Sequence, residues 1–314
     1  MSRCFSSIVV FLITALTLCS PAASDSQIST KSFIEVATGV FVRYGLHREI
    51  SKQSLPHIAN HGFVVGEKSV AIIDPGGSLK AAQSTLKAVE QLTELPVTHV
   101  IVSHMHPDHS VGLAAYSELP DTVILGHKKL ADALYANLDF FTDNFIDNTE
   151  RRKLEKLLDA NRLQPISTGD TIDLGNRVLT LDSFDRAHTS TDITVLDNQH
   201  NLLWAGDLLF VERLPSLDGS LRGWVEALER LEQRKASIVI PGHGISGSWE
   251  QLVKPQRKYL TDLLISTRLA IKNGISLREY TNTASNESPN EPWKLYKSQH
   301  RTNLSRAYTE LEWE

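Results

Sequence analysis

Residues 104–109 read HMHPDH, which sets three imidazoles and a carboxylate within six positions. Neutral imidazole and carboxylate are the donors that borderline divalent ions such as zinc accept. In an extended turn, residues separated by one position point to the same side, so His104 and His106 can reach one ion while Asp108 and His109 serve a second. Three further donors each follow a β-rich run: His188 before Thr189, Asp207 in LLWAGDLLF, and His243 in PGHG after SIVI. Taken singly these have ordinary explanations, since a lone histidine is more often packed or exposed than a ligand and an aspartate after glycine is usually a turn former. Together they complete a set of five histidines and two aspartates, enough for two ions with a shared carboxylate and positions left open for water. Open positions separate catalytic zinc sites from structural ones. The downstream donors argue against a solvated histidine-rich loop with casual metal affinity.

The apolar pattern supplies elements that deliver these donors. Short β-rich runs at residues 33–44, 62–65 and 70–74 predict strands, the last closed by Pro75, Gly76 and Gly77. Ser78 can cap a helix reaching Leu92, with Leu79, Ala82, Leu86 and Val89 at helical spacing. The β-branched run 97–102 then puts the histidine cluster on a loop at the C-terminal end of a strand, where α/β enzymes carry their chemistry. A strand at 122–125, a helix from Lys128 and a charged helix over 150–160 follow. The second half holds β-rich runs at 170–174, 177–182, 193–196 and 202–205, a helix at 221–233 and a strand at 236–240. Two β-rich halves with helices predict two sheets packed face to face under helices. Beyond Gly247 the apolar spacing is helical again, residues 281–292 predict a polar linker, and a last helix closes the chain.

The hexapeptide, followed in order by a separate His, an Asp and a final His, resembles the metallo-β-lactamase superfamily, whose mark is H-x-H-x-D-H with those downstream partners. The resemblance covers residues 33–247. It implies a mixed α/β (α+β) fold, the four-layer αββα sandwich, with residues 248–314 as a C-terminal helical extension. It also implies one metal on His104, His106 and His188, a second on Asp108, His109 and His243, and Asp207 bridging them. Two zinc ions are expected, with iron the alternative. Asp74, in AIIDPGG, matches a family aspartate near the site and is given a supporting role. Within the superfamily, IANHGFVVGEKSVAIIDPGG, HMHPDH and HRTNLSRAYTELE look most like the exported metallohydrolases that accompany quinoprotein and sulfur-oxidation systems.

The implied chemistry is hydrolysis of an ester, thioester, lactone or related bond in a small molecule. A metal ion lowers the pKa of bound water from 15.7 to about 7, which supplies hydroxide at neutral pH. Asp108 is the expected catalytic residue, orienting that hydroxide and relaying a proton to the leaving group. An aspartate at position 207 disfavours antibiotic hydrolysis as the main activity and leaves β-lactamase chemistry as a side activity. The competing class is a periplasmic metal-binding accessory protein that serves a redox system without turnover. Substrate contacts are expected from the loop after Phe210 and from the C-terminal helices. His47, His99, His200 and His300 read as core or surface residues, as do His57, His61 and His127 on weaker grounds, and Trp224 and Trp249 read as packing residues.

Arg3, the uncharged run 8–18 and the small residues Ser20, Ala22 and Ala23 predict a signal peptide over residues 1–23. The run is short of the roughly 20 residues that a span needs. No stable membrane anchor is therefore expected, and the mature chain is expected in the periplasm or secreted. Cleavage removes Cys4 and Cys19, both cysteines, so neither a disulfide nor a thiolate ligand is available. It also removes one arginine and no acid, which takes the formal charge from −5 to −6. An acidic chain without a basic face excludes nucleic acid as an expected partner.

Overall fold

The computed structural model describes residues 33–284 and 292–314. The leader expected at 1–23 and most of the linker expected at 281–292 lie outside these residues. Two sheets form the centre. The first has seven strands in chain order: β1 (Ile34–Ala37), β2 (Val40–Arg43), β3 (His61–Val65), β4 (Val70–Ile73), β5 (Val97–Ile101), β6 (Val123–His127) and β7 (Leu163–Ile166). Pairing is antiparallel up to β4 and parallel from β4 to β7. The second sheet runs β12 (Ile238–His243), β11 (Leu202–Phe210), β10 (Asp192–Asp197), β9 (Val178–Phe184) and β8 (Asp170–Asp173).

Side-chain alternation explains the layering. In β4, Ala71 and Ile73 join the core between the sheets, while Val70 and Ile72 join the cluster under α1 (Leu79–Leu92). In β11, Leu202 and Trp204 face the first sheet's residues, while Leu203 and Ala205 pack with Trp224 and Leu228 of α5 (Leu221–Glu232). Strands buried on both faces read as continuous apolar runs. Each fully buried aliphatic side chain in them contributes roughly 1.5–3 kcal/mol. The result is the four-layer αββα arrangement.

Helix ends follow local chemistry. The Ser78 hydroxyl accepts from the Ala81 N–H at 3.0 Å and starts α1. Asp147 and Glu150 form a reciprocal cap on α4 (Asn148–Asp159), and the Glu150 carboxylate also accepts from the Leu79 N–H at 2.9 Å. One side chain thereby fixes the starts of two helices.

Several details depart from the sequence reading. The run 33–44 is a hairpin of two strands, turned at Gly39, whose φ of 72° favours glycine. Strand β7 has Gln164 and Pro165 both exposed between Leu163 and Ile166, so it shows no β periodicity, and it sits at a sheet edge, where proline is tolerated. The extended turn ends at His106, after which α2 (Pro107–Ser110) and a 3-10 segment (Val111–Glu118) follow. Strand β11 continues to Phe210, which puts Asp207 inside the strand rather than beyond its end.

The remaining helices are α3 (Leu130–Asn144), α6 (Trp249–Lys272), α7 (Leu277–Ala284) and α8 (Tyr296–Leu311). The start of the expected linker is helical, because α7 carries through Ala284. Leu260 and Leu263 of α6 and Leu304, Ala307 and Leu311 of α8 share one apolar cluster with β11 and α5. The C-terminal helices are therefore built into the outer layer of the second sheet.

Candidate metal centre

Strand ends from both sheets meet at one edge of the sandwich. Asp74, just after β4, has φ 53° and turns its carboxylate toward the end of β5. There it accepts from the Ser103 N–H at 2.6 Å and the Ser103 hydroxyl at 2.8 Å. The Ser103 carbonyl in turn accepts from the Ile193 N–H of β10 at 2.8 Å, so this residue ties the two sheets together immediately before His104. His106 is the residue just before α2, and the Ser110 hydroxyl donates back to the carbonyls of Met105 and His106. Helical geometry then presents Asp108 and His109 on the next turn. His188 sits in the loop after β9, which Asp192 holds by accepting from the N–H and hydroxyl of Thr189, both at 2.7 Å.

Asp207 needs a special backbone. Gly206 has φ 53°, and the β11–β12 register shifts on either side of it. The irregularity frees ladder groups beyond Asp207, and Gln256 of α6 takes them up: it accepts from the Phe210 N–H at 2.7 Å and donates to the Leu208 carbonyl at 2.8 Å. On β12, a Cβ at Gly242 would lie 1.9 Å from Asp207 Oδ1, so only glycine lets the carboxylate stand there.

All seven sequence-singled donors converge in two sets, His104, His106, His188 and Asp207 in one, and Asp108, His109 and His243 in the other. Within each set the donor atoms lie within 4.8 Å of one another. In the first, His106 Nδ1 is 3.1 Å from His104 Nε2 and 3.0 Å from His188 Nε2, and Asp207 Oδ2 is 3.7 and 3.4 Å from the same two nitrogens. In the second, Asp108 Oδ2 is 3.4 Å from His243 Nε2 and 3.8 Å from His109 Nε2. Asp207 also reaches this set, with Oδ2 3.3 Å from His243 Nε2 and Oδ1 3.1 Å from His109 Nε2. A tetrahedral ion bound at 2.0–2.1 Å separates its ligand atoms by about 3.3–3.4 Å. The observed spacings bracket that value.

The tautomers agree with this reading. His188 Nδ1 lies 2.8 Å from the Ser216 carbonyl, His243 Nδ1 2.7 Å from the Ile58 carbonyl, and His109 Nδ1 2.8 Å from the Asp74 carboxylate. Each of these acceptors requires the proton on Nδ1, which leaves the Nε2 lone pair pointing inward. The Ser103 hydroxyl donates to Asp74, so at 3.0 Å it can only accept from His104 Nδ1. His106 is reversed: its Nε2 donates to Asp218 Oδ2 at 3.0 Å and its Nδ1 faces the set. Five imidazoles thus aim five bare lone pairs into one buried space. His109 Nε2 and Asp207 Oδ1 are both buried without a hydrogen bond, a state that a shared cation relieves.

The electrostatics favour positive charge here. Burial holds His104 well below its ordinary range and pushes His188 down to about 3, so both stay neutral, as ligands must. Burial alone would raise the Asp207 carboxyl, yet the imidazoles of His243, His109 and His104 pull it well below the usual range. Burial also works against a charge on His109, and the carboxylates of Asp207, Asp108 and Asp74 outweigh it and raise that imidazole.

The centre opens into a cleft of about 360 Å³ whose lining includes Asp108, Asp207 and His243, together with Arg213, Asp218 and Gln299, Thr302, Asn303 and Arg306 of α8. Several supporting residues carry no sequence signal. Asn303 of α8 accepts from the Leu217 N–H at 2.9 Å and donates to the Pro215 carbonyl at 2.7 Å, which holds the loop bearing Ser216 and Asp218. Arg306 pairs with Asp218. Trp224 packs in the core as expected, but its ring also lies 5.0 Å from that of His188, and its N–H donates to the Leu208 carbonyl. Among the other histidines, His61 is buried beside Phe33, His127 contacts Asp185, and His47 contacts Glu212, all outside the two donor sets.

Residues 55–243 match the model of the metallo-β-lactamase superfamily. The chain is 24% identical over 191 residues to metallo-beta-lactamase IND-1 of Chryseobacterium indologenes, spanning 59% of this chain and 71% of that one. It is also 24% identical over 233 residues to acyl-coenzyme A thioesterase MBLAC2 of Gallus gallus, spanning 65% and 78%. Among solved structures, a metallo-beta-lactamase from Pontibacter korlensis superposes with a TM-score of 0.56 at 19% identity, covering 73% of this chain and 98% of that one. The sec-alkylsulfatase Pisa1 from Pseudomonas sp. gives a TM-score of 0.66 at 14% identity, covering 89% of this chain and 50% of that one. Likeness at these identities speaks to the fold.

Proposed function

The chain belongs to the metallo-β-lactamase superfamily and is a metallo-hydrolase of it, and from that premise we propose that it cleaves an ester, thioester, lactone or related bond in a small molecule, using two zinc ions. The supporting observation is the inward set of five imidazole lone pairs and two carboxylates at the floor of an open cleft. His104, His106 and His188 would hold one ion, Asp108, His109 and His243 the other, and Asp207 would be shared. Bound divalent ions supply Lewis-acid polarisation of the scissile oxygen and a nucleophile at neutral pH from bound water.

The chain's own groups do the rest. Asp207, buried and ionised, faces both donor sets and fixes their spacing. Asp108 is 6% exposed and lines the cleft, so its carboxylate is the group placed to take a proton from the nucleophile and hand it to the leaving oxygen or sulfur. Ile50, Phe140 and Phe145 give the cleft an apolar side that limits water.

The reading extends to location and company. The leader pattern supports an exported, periplasmic or secreted protein. No helix of the described residues is long and apolar enough to cross a membrane. Kinship to the metallohydrolases of quinoprotein and sulfur-oxidation systems rests on the three sequence runs quoted above, and the acidic charge supports a protein without nucleic-acid partners. Metal analysis of the purified chain and a panel of generic esters, thioesters, lactones and nitrocefin test the reading. The expected result is two ions per chain and hydrolysis that chelator abolishes. Full metal content with no turnover on any of the panel would replace it with the accessory-protein reading, and iron in place of zinc would change the metal alone.

A further inference from the structure

Arg213 is the one feature of the cleft that hydrolysis itself leaves unexplained. The residue follows β11, is 6% exposed and lines the cleft beside His243. Among the described residues no carboxylate lies within ion-pair distance of its guanidinium, and its buried Nε has no hydrogen-bond partner. Its neighbour His243 Nδ1, at 3.2 Å, already donates its proton to the Ile58 carbonyl, so that contact sets two donors face to face. The other arginine of the lining, Arg306, is neutralised by Asp218. A guanidinium stays charged at any accessible pH, and burying one unpaired is costly. Such a group calls for a partner, and a bound anion would supply one.

The same cleft has an apolar rim. Phe140 is 55% exposed and Ile50 38% exposed, although both are large hydrophobic residues, and Phe145 stands edge-on to Phe140 with ring centroids 5.6 Å apart. Exposed aromatics gathered at a cleft mark a surface that an apolar group covers.

We propose that the substrate is an amphipathic anion: an ester, thioester or lactone carrying an oxyanion group that pairs with Arg213 and an apolar group that lies on Ile50, Phe140 and Phe145. Carboxylate, sulfate and phosphate share the chemistry that a guanidinium fork recognises. The inference rests on the hydrolase reading for the word substrate, but the pairing itself needs no turnover.

Calorimetric titration of the metal-loaded protein with four probes tests it: N-hexanoylglycine, hexyl sulfate, hexyl phosphate and the neutral N-hexanoylglycinamide. At least one anion is expected to bind about 30-fold more tightly than the neutral amide, a margin typical of a lost charged partner. Arg213→Gln should erase that margin, and Arg213→Lys should keep part of it, since lysine retains the charge without the fork. Which anion leads distinguishes the three headgroups. Equal binding of anions and amide by the wild-type protein overturns the proposal even if the variants fail to fold. So does a margin that survives in Arg213→Gln, which assigns anion binding to the metals alone. Because none of the comparisons depends on ester cleavage, an inactive ester panel with an intact margin defeats the hydrolase reading and not this one.

Discussion

Replacing Asp218 with alanine removes the acceptor that holds His106 Nε2 at 3.0 Å, and the consequence can be worked from the geometry. His106 faces the centre through Nδ1, unlike the other four imidazoles, so its coordination depends on keeping the proton on Nε2. Loss of such an outer partner typically costs 10- to 100-fold in metal affinity. Here both side chains are partly open to water, at 23% and 25% exposure, and water can replace the carboxylate in part. The expected loss is therefore near the lower end, about 10-fold or about 1.4 kcal/mol. Competition against a chelator of known affinity measures it, ion by ion, and the weakened ion should be the one carrying His106. Asp218→Asn keeps an acceptor oxygen and should lose less. Arg306→Ala, which removes the partner of Asp218 from α8, should act in the same direction with a smaller effect. Unchanged affinity for both ions in Asp218→Ala would refute the idea that this carboxylate sets the His106 tautomer.

Other consequences are equally direct. Gly242→Ala drives a methyl into the space of Asp207 Oδ1, so the folded variant should lose metal and turnover together while its circular dichroism stays native; full metal content would contradict the close approach. Trp224→Ala empties a fully buried position and should cost about 3–5 kcal/mol by urea denaturation. Burial holds His61 down at about 3, so the folded state binds fewer protons than the unfolded chain between that value and 6.5. Stability should accordingly be retained above pH 6.5 and lost on acidification below it. The slope is about 1.4 kcal/mol per pH unit from this group, and it should disappear in His61→Gln; equal slopes in both proteins would remove His61 as the cause. Asp108→Ala should lower turnover at least 100-fold with weaker binding of one ion, read by steady-state kinetics beside metal content.

The donor residues were legible because their chemical types are few and most lie just beyond a β-rich run, Asp207 inside β11 being the exception. His104, His188 and His243 could be singled out without knowing any contact. Their supports could not. Asp218 meets His106 across 112 positions and Asn303 meets Leu217 across 86, and surface-type polar residues in loops and on amphipathic helices carry no periodic mark. Gln256 resembles any polar helix position, although it repairs the broken ladder of β11. Strand β7 was hidden by Gln164 and Pro165, which interrupt its two apolar residues. The α2 turn had a signal that went unused: Pro107 at the first helical position with Asp108 after it is a common helix start.

The wall formed by α8 lies beyond residue 243, where the family match ends, while every donor atom lies before or at that residue. One wall of the cleft is thus encoded beyond the stretch that carries the donors, while Ile50, Phe140, Phe145 and Arg213 of the same cleft lie within it. Exchanging the tail would recut that side of the entrance, but any replacement must keep the Gln256 contacts to β11, the Asn303 hold on the loop of Ser216 and Asp218, and the apolar face of α6 and α8. Variation confined to the cleft-facing positions Gln299 and Thr302 of α8 can in this way admit new molecules to an old reaction without touching a donor or its supports.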